Sequence, residues 1–250
     1  MDVLRLYTLK DHAWTVQAMS EALGRPASTV YRVVGGLAGA GMLEAAPGSR
    51  YRLGAAFVEF DRLARLTDPL VRHGSAVLRD IVAEAGIPCV GLLSRLHNAT
   101  VMCIADDATG DVDFRSSYER GRPMPLTRGA TSKVILANLP ARRLAALLKA
   151  RRPGQAAEDD PDTLRAALAD IRRRGFAVTR GEVDAGLAGL AAPVGSRVLG
   201  LVASLSLVAR AGELDGETER RLVAMLVVAA ARLGDGLTLT SVADGGSVMP

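Results

Sequence analysis

Ser28, Thr29, Tyr31 and Arg32 lie together in one short run, and Arg50 and Arg52 alternate a little further along the chain. Hydroxyls mixed with guanidinium groups suit phosphate oxygens and base edges. Ser and Thr can bond either, and an Arg can grip guanine through O6 and N7 at once. Other residues capable of chemistry are scattered. His12, His73 and His97 are far apart in sequence, with no cysteine or carboxylate at ligand spacing, so no metal site is expected. Cys89 and Cys103 are the only cysteines, too few for a disulfide framework or a cysteine zinc site. Glu182 and Asp184 sit two residues apart on a loop and define no acid–base pair. The sequence contains no Gly-x-Ser-x-Gly elbow, Walker loop, dinucleotide fingerprint or His-Glu-x-x-His. Neither catalysis nor a cofactor is expected.

The hydroxyl and arginine run needs a helix to present it. Val3, Leu4, Leu6 and Tyr7 suggest a short first helix. Thr15 can cap a second, with Val16, Met19 and Leu23 at i, i+3 and i+7, and Gly24 followed by Pro26 ends it. A third runs from Ala27 to Gly39, with Val30, Val33, Val34 and Leu37 as its buried stripe. At about 100° per residue, Ser28, Arg32 and Gly35 then face directly away, with Thr29 and Tyr31 on the shoulders. Two helices split by Gly24-Arg25-Pro26, the second polar on its outer face, form a helix-turn-helix pattern. Met42–Ala45 and Arg50–Leu53 read as strands around the turn Ala46–Ser49. Alternation puts Tyr51 and Leu53 inward and Arg50 and Arg52 outward, as a wing against phosphate or a minor groove. A trihelical pattern alone also serves protein interaction; the wing arginines tilt it toward DNA. Gly35-Gly36 is awkward inside a helix, through fraying or to allow close approach to DNA.

With 250 residues, 49% of them hydrophobic and 23% charged, the chain suits one large domain or two of ordinary size. A net charge of +4 permits nucleic acid as a partner without requiring it. The start lacks a secretory signal, and the longest apolar run, around Leu222–Leu233, is broken by Arg232, so a soluble cytoplasmic protein is expected, with no membrane partner.

Beyond the wing, Phe57, Phe60, Leu63 and Ala64 mark an amphipathic helix, and Leu70–Ala85 a further one ended by Gly86. Strands are expected at Cys89–Ser94, Thr100–Ala105 and Val112–Ser117. A hairpin centred on His97-Asn98 would set Cys103 opposite Leu92 and Cys89 opposite Asp106. Helices follow at Ser132–Leu139 and Ala141–Ala150, then one opened by Asp159-Asp160-Pro161-Asp162 and closed at Gly175. Ala177–Arg180, Leu190–Pro193 and Leu199–Val208 read as strands and Leu214–Leu233 as the last helix. The mixture predicts an α+β domain with one antiparallel sheet. Gly129-Ala130-Thr131, just before a helix, is placed to offer backbone N–H groups to a small acidic molecule; the same residues could be only a tight turn.

The run Leu23-Gly24-Arg25-Pro26-Ala27-Ser28-Thr29-Val30-Tyr31-Arg32-Val33-Val34, with Leu37, Gly41 and Tyr51-Arg52-Leu53-Gly54, resembles the DNA-binding domain of the IclR family. Two later blocks resemble the segments that open and close that family's effector pocket. They are Arg122-Pro123-Met124-Pro125-Leu126 with Gly129–Ala137, and Arg174–Glu182 with Gly186 and Leu190–Val194. The resemblance spans about residues 1–235.

It implies a winged helix-turn-helix over 1–54, a linker helix over 55–68, a GAF-like effector-binding domain over 69–236 and a flexible tail over 237–250. DNA contacts fall to Ser28, Thr29, Tyr31, Arg32, Arg50 and Arg52. Effector contacts fall to Gly129, Ala130, Thr131, Thr179, Gly189 and Ser206. Val208 stands where a second hydroxyl can occur, and Gly189 brings no polar side chain, which favours an aromatic or bulkier organic acid over a very small one. The implied assembly is a homodimer, or a dimer of dimers, on a palindromic operator. Two other classes stay open: an enzyme in the GAF-like domain, and a protein-interaction module using the helix-turn-helix surface. Turnover would reveal the first, and indifference to salt the second.

Overall fold

The computed structural model describes residues 2–149, 161–196 and 200–245. Contacts divide the chain into two units, Met1–Asp68 and Pro69–Pro250.

The first unit begins with a short 3-10 helix, Asp2–Leu6, where a short first helix was expected, and continues with β1 (Trp14–Thr15), α1 (Val16–Leu23) and α2 (Ala27–Gly39). The Ala18 amide donates to Thr15 Oγ1 at 3.1 Å to start α1, and Gly24 in the left-handed conformation ends it. β2 (Leu43–Ala46) and β3 (Arg50–Leu53) form the wing, and β1 adds a third strand, Trp14 opposite Tyr51. α3 (Ala56–Thr67) follows. Val3, Met19, Val30, Val34 and Leu43 make the core. Val33 does not join it: it is 38% exposed, on the flank of the α2 stripe. Leu53, expected inward, is 45% exposed because the inner face of the short wing reaches the core only at Tyr51 and Leu43.

Gly54 explains the glycine after the wing. A Cβ there would lie 2.2 Å from the Gly41 carbonyl oxygen, which accepts the Ala56 amide at 3.1 Å. Only a residue without a side chain lets the exit of the wing cross the end of α2 so closely.

In the second unit, α4 (Pro69–Glu84) precedes a sheet of β4 (Cys89–His97), β5 (Thr100–Ala108), β6 (Pro123–Met124), β7 (Ala177–Arg180), β8 (Leu187–Ser196) and β9 (Leu201–Arg210). Strand order is β6-β5-β4-β9-β8-β7, and every pair is antiparallel. α5 (Ala130–Ala137), α6 (Ala141–Lys149) and α7 (Pro161–Arg174) lie between β6 and β7, and α8 (Gly216–Gly245) comes last. Alternation along β9 sorts the layers: Ala203, Leu205, Leu207 and Ala209 pack with α4 and α8, while Val202 packs on the side of α5 and α7. The sheet is therefore covered on both faces.

Several expectations change. Residues 112–117 form no strand: the Val112 amide donates to the Thr109 carbonyl in a turn, the backbone N–H and Oγ of Ser117 donate to Asp184, and the Asp113 side chain pairs with Arg210. The β4–β5 hairpin turns at Asn98-Ala99, with a bulge between Leu93 and Ser94. That shifts the register, so Cys103 faces Ser94, Leu92 faces Asp106, and the Cys89 amide bonds Thr109 Oγ1. The two cysteines are buried in separate clusters, Cys89 with α4 and α8 and Cys103 with Tyr118 and Met124. α8 does not stop at Leu233 but continues through Leu237 to Gly245, where a flexible tail was expected; residues 246–250 lie outside the described residues, as do Asp159 and Asp160. Gly216–Leu239 also has the length and apolarity to cross a membrane, with mean hydropathy 1.7. Here Leu222, Leu226, Ala230, Leu233 and Leu237 recur at helical spacing and bury against the sheet, so its apolarity serves the core.

Candidate functional site

Two separate surfaces carry the predicted residues. On the first unit, burial of Val30 and Val34 fixes the rotation of α2 and leaves Ser28, Tyr31 and Arg32 exposed, Tyr31 at 67%, with Thr29 half-buried beside them. The Pro26 cap contributes no side-chain bond, so neither Ser28 nor Thr29 is spent on capping. In the wing, Arg50 and Arg52 are both exposed. Arg52 is not free: its Nε donates to Glu44 Oε1 at 2.6 Å, across the registered pair Glu44–Arg52. The surface thus combines a helix bearing hydroxyl, phenol and guanidinium groups with a basic hairpin, a combination suited to a polyanion with readable edges.

The second surface is a cleft where α5 begins. Gly129 precedes the helix at φ 80°, and a Cβ on it would stand 2.8 Å from both the Tyr118 hydroxyl and Val183 Cγ2. Glycine there lets the backbone pass beneath the turn joining β7 to β8. Gly129, Ala130, Thr131, Thr179 and Gly189 all line the cleft. Ser206 does not; it sits behind Thr131, whose Oγ1 donates to Ser206 Oγ at 3.1 Å. The cleft opens to solvent, and its free volume is about 20 Å³. That is room for about one water, well below the roughly 300 Å³ at which small-molecule pockets begin.

Sequence reasoning missed much of the polar frame. The Gly129 amide donates to Glu182 Oε2 at 2.9 Å, and Lys133 Nζ donates to Glu182 Oε1 at 2.7 Å. The Ala130 amide donates to Thr179 Oγ1 at 3.0 Å. Tyr118 Oη lies 3.2 Å from both the Arg128 carbonyl and Ser132 Oγ, and burial pushes its phenol up from the ordinary tyrosine value. Val183, Leu187 and Val208 supply apolar wall. Glu182 and Asp184 are the charged residues of the lining. They act as struts rather than as an acid–base pair, Glu182 to α5 and Asp184 to Ser117. The hint in the sequence is that Glu182 ends the block resembling the pocket's closing segment; its partner Gly129 is 53 residues away.

Comparison with known proteins bears on both surfaces. The model of the IclR helix-turn-helix domain matches residues 1–47, and that of the bacterial transcriptional regulator IclR C-terminal domain matches residues 70–234. The HTH-type transcriptional regulator KipR of Bacillus subtilis is 25% identical over 210 residues, 83% of this chain and 82% of the relative. The crystal structure of an IclR transcriptional regulator from Alicyclobacillus acidocaldarius superposes with a TM-score of 0.77 at 24% identity, covering 95% of this chain and 96% of the other. An IclR homolog from Microbacterium hydrocarbonoxydans, solved in complex with 4-hydroxybenzoate, gives a TM-score of 0.74 at 21% identity over 94% and 95% of the two chains. The helix-turn-helix, the second domain with its antiparallel sheet and the two family models agree, and the chain belongs to the IclR family of transcriptional regulators, with a DNA-binding domain and a C-terminal effector domain.

Proposed function

We propose that the chain binds a palindromic operator in the cytoplasm as a homodimer, and that a small organic acid, aromatic in the favoured case, sets its operator affinity from the α5 cleft. The observation that carries the DNA reading is the rotation of α2, which buries Val30 and Val34 and turns Ser28, Tyr31 and Arg32 to the outside. In this reading Arg32 takes a guanine or phosphate, Ser28, Thr29 and Tyr31 set register, and Arg50 and Arg52 hold backbone phosphate. The homodimer is supported by α3, where every residue from Phe57 to Thr67 is exposed, including Phe57, Phe60 and Leu63. A helix with so much uncovered apolar surface needs a partner.

For the effector, the N-terminal turn of α5 offers amides and a favourable dipole, and Val183, Leu187 and Val208 offer apolar wall for a ring. In this reading Gly129, Ala130, Thr131, Thr179 and Gly189 contact the ligand, with Ser206 orienting Thr131. The 4-hydroxybenzoate held by the Microbacterium homolog supports an aromatic acid. Ligand and operator are coupled if the acid binds the DNA-competent and DNA-incompetent arrangements unequally.

The experiment is a pull-down of fragmented genomic DNA at about 0.15 M salt with excess competitor, a screening length that suppresses weak phosphate contacts. Fragments sharing an inverted repeat, released or retained when benzoates are added, are the expected result. Recovery of no enriched sequence, with and without acids, rejects the reading.

A further inference from the structure

We infer that Glu182 is an internal competitor for acid ligands, a carboxylate of the chain's own that occupies the amide end of α5. The inference rests on the cleft being the effector site and specifies how that site is regulated.

The amides that open α5 are already engaged in succession. Gly129 donates to Glu182 Oε2 at 2.9 Å and Ala130 to Thr179 Oγ1 at 3.0 Å. Among the described residues the next amide, that of Thr131, has no bond to the protein. An acid seated there and on Ala130 brings its carboxylate to within about 5 Å of the one already held one residue earlier, given ordinary Cα spacing. Two carboxylates so close repel, more strongly in a cleft than in water. Lys133, whose side chain is only 12% exposed, neutralises one of them, and it is already bonded to Glu182. Asp184, also in the lining, adds further negative charge, although its oxygens are held by Ser117. The cleft therefore has donors suited to an acid and an electrostatic balance that resists a second one. The small free volume of the cleft, about 20 Å³, fits the same picture: the site is filled by its own side chains. An incoming acid gains full use of the turn once Glu182 swings away, carrying Lys133 or leaving it for the ligand.

The test uses the full chain as wild type, Glu182→Gln and Glu182→Ala. Each is titrated calorimetrically with benzoate and with benzamide, its neutral counterpart, and the Gly129, Ala130 and Thr131 amides are followed by NMR. Gln keeps an acceptor for the Gly129 amide and removes only the charge, so loss of folding in the alanine variant does not end the test. Benzoate should bind both variants at least about tenfold more tightly than wild type, the scale of one nearby like charge, with benzamide changed by less than about twofold. Benzoate binding seen only in the variants carries the same meaning. Equal or weaker benzoate binding by the variants, with the three amides responding, makes Glu182 a structural strut and overturns the inference. If benzoate moves none of those amides in any of the three proteins, the cleft is not an acid site, and the reading beneath the inference fails first.

Discussion

Glu44 and Arg52 stand opposite each other in the wing, joined by a 2.6 Å contact between Oε1 and Nε on its exposed face. A surface pair of this kind contributes at most about 1 kcal/mol to stability. Beside a polyanion its effect is larger, because the carboxylate both occupies the arginine and repels phosphate. Glu44→Gln should leave the melting temperature nearly unchanged and tighten DNA binding several-fold. Fluorescence anisotropy against salt should show a steeper dependence, as one more cation becomes available to phosphate.

Arg32 is exposed on the outer face of α2. Arg32→Ala should cost about 1–3 kcal/mol of operator affinity if it reads a guanine bidentately, with specificity relaxed at one base pair. A uniform loss across sequences would assign it to phosphate instead. Unchanged operator binding would remove α2 from the interface.

Gly35 and Gly36 lie inside α2, and a Cβ on either would meet nothing. Their presence therefore costs helix stability, about 1 kcal/mol each relative to Ala, without any packing reason inside the chain. Gly35→Ala should raise the unfolding free energy of the winged unit by about that amount. Operator affinity should fall, because Gly35 shares the outer face with Arg32. Stabilisation without loss of affinity would show that DNA does not approach the backbone there.

Gly54→Ala is expected to be the reverse case. Its Cβ would lie 2.2 Å from the Gly41 carbonyl oxygen, and the atom in the way is backbone rather than a flexible side chain. Steric clashes of this kind cost on the order of several kcal/mol, enough to unfold the winged unit. Circular dichroism melts of the full chain would show this as a transition for that unit shifted well below the wild-type one.

The thiols give a pH prediction. Burial pushes Cys89 from 9.0 to about 11 and Cys103 from 9.0 to about 12, with Asp111 and Asp106 adding to the shifts. Their folded values exceed the unfolded ones, so the unfolded chain loses these protons first as pH rises. The stability they contribute is present below pH 9.0 and declines as pH passes through 9.0 toward about 11 and about 12. Denaturant midpoints measured between pH 8 and 11 should fall, and a thiol reagent should label neither cysteine until the chain unfolds. Rapid labelling of the native protein would contradict the burial.

The sequence is most legible where a local rule decides the structure. Thr15, Gly24 and Pro26 bound α1, and the spacing of Val30 and Val34 sets the face of α2, all within one or two turns of chain. Where the decision belongs to distant partners, the sequence is silent. β1 is only two residues, Trp14 and Thr15, and exists because β3 pairs with it. Val112–Ser117 has strand character, but the Ser117 N–H goes to Asp184, far along the chain, and not to a neighbouring strand. The cleft divides in the same way. The glycines and small residues around Gly129 stand out as a motif, whereas Glu182, Lys133 and Tyr118 acquire meaning only when folding brings three segments together.

α3 has a consequence for how the protein behaves on dilution. Its 12 residues bury only Ala56, and a helix of that length is marginal in water by its own hydrogen bonds. Its order has to come from whatever covers it. Where that cover is a second copy of the chain, mass action makes the helix a concentration gauge, ordered in the assembled protein and melting as the copies part. Helicity measured across a dilution series would then report assembly directly, with no DNA or ligand present.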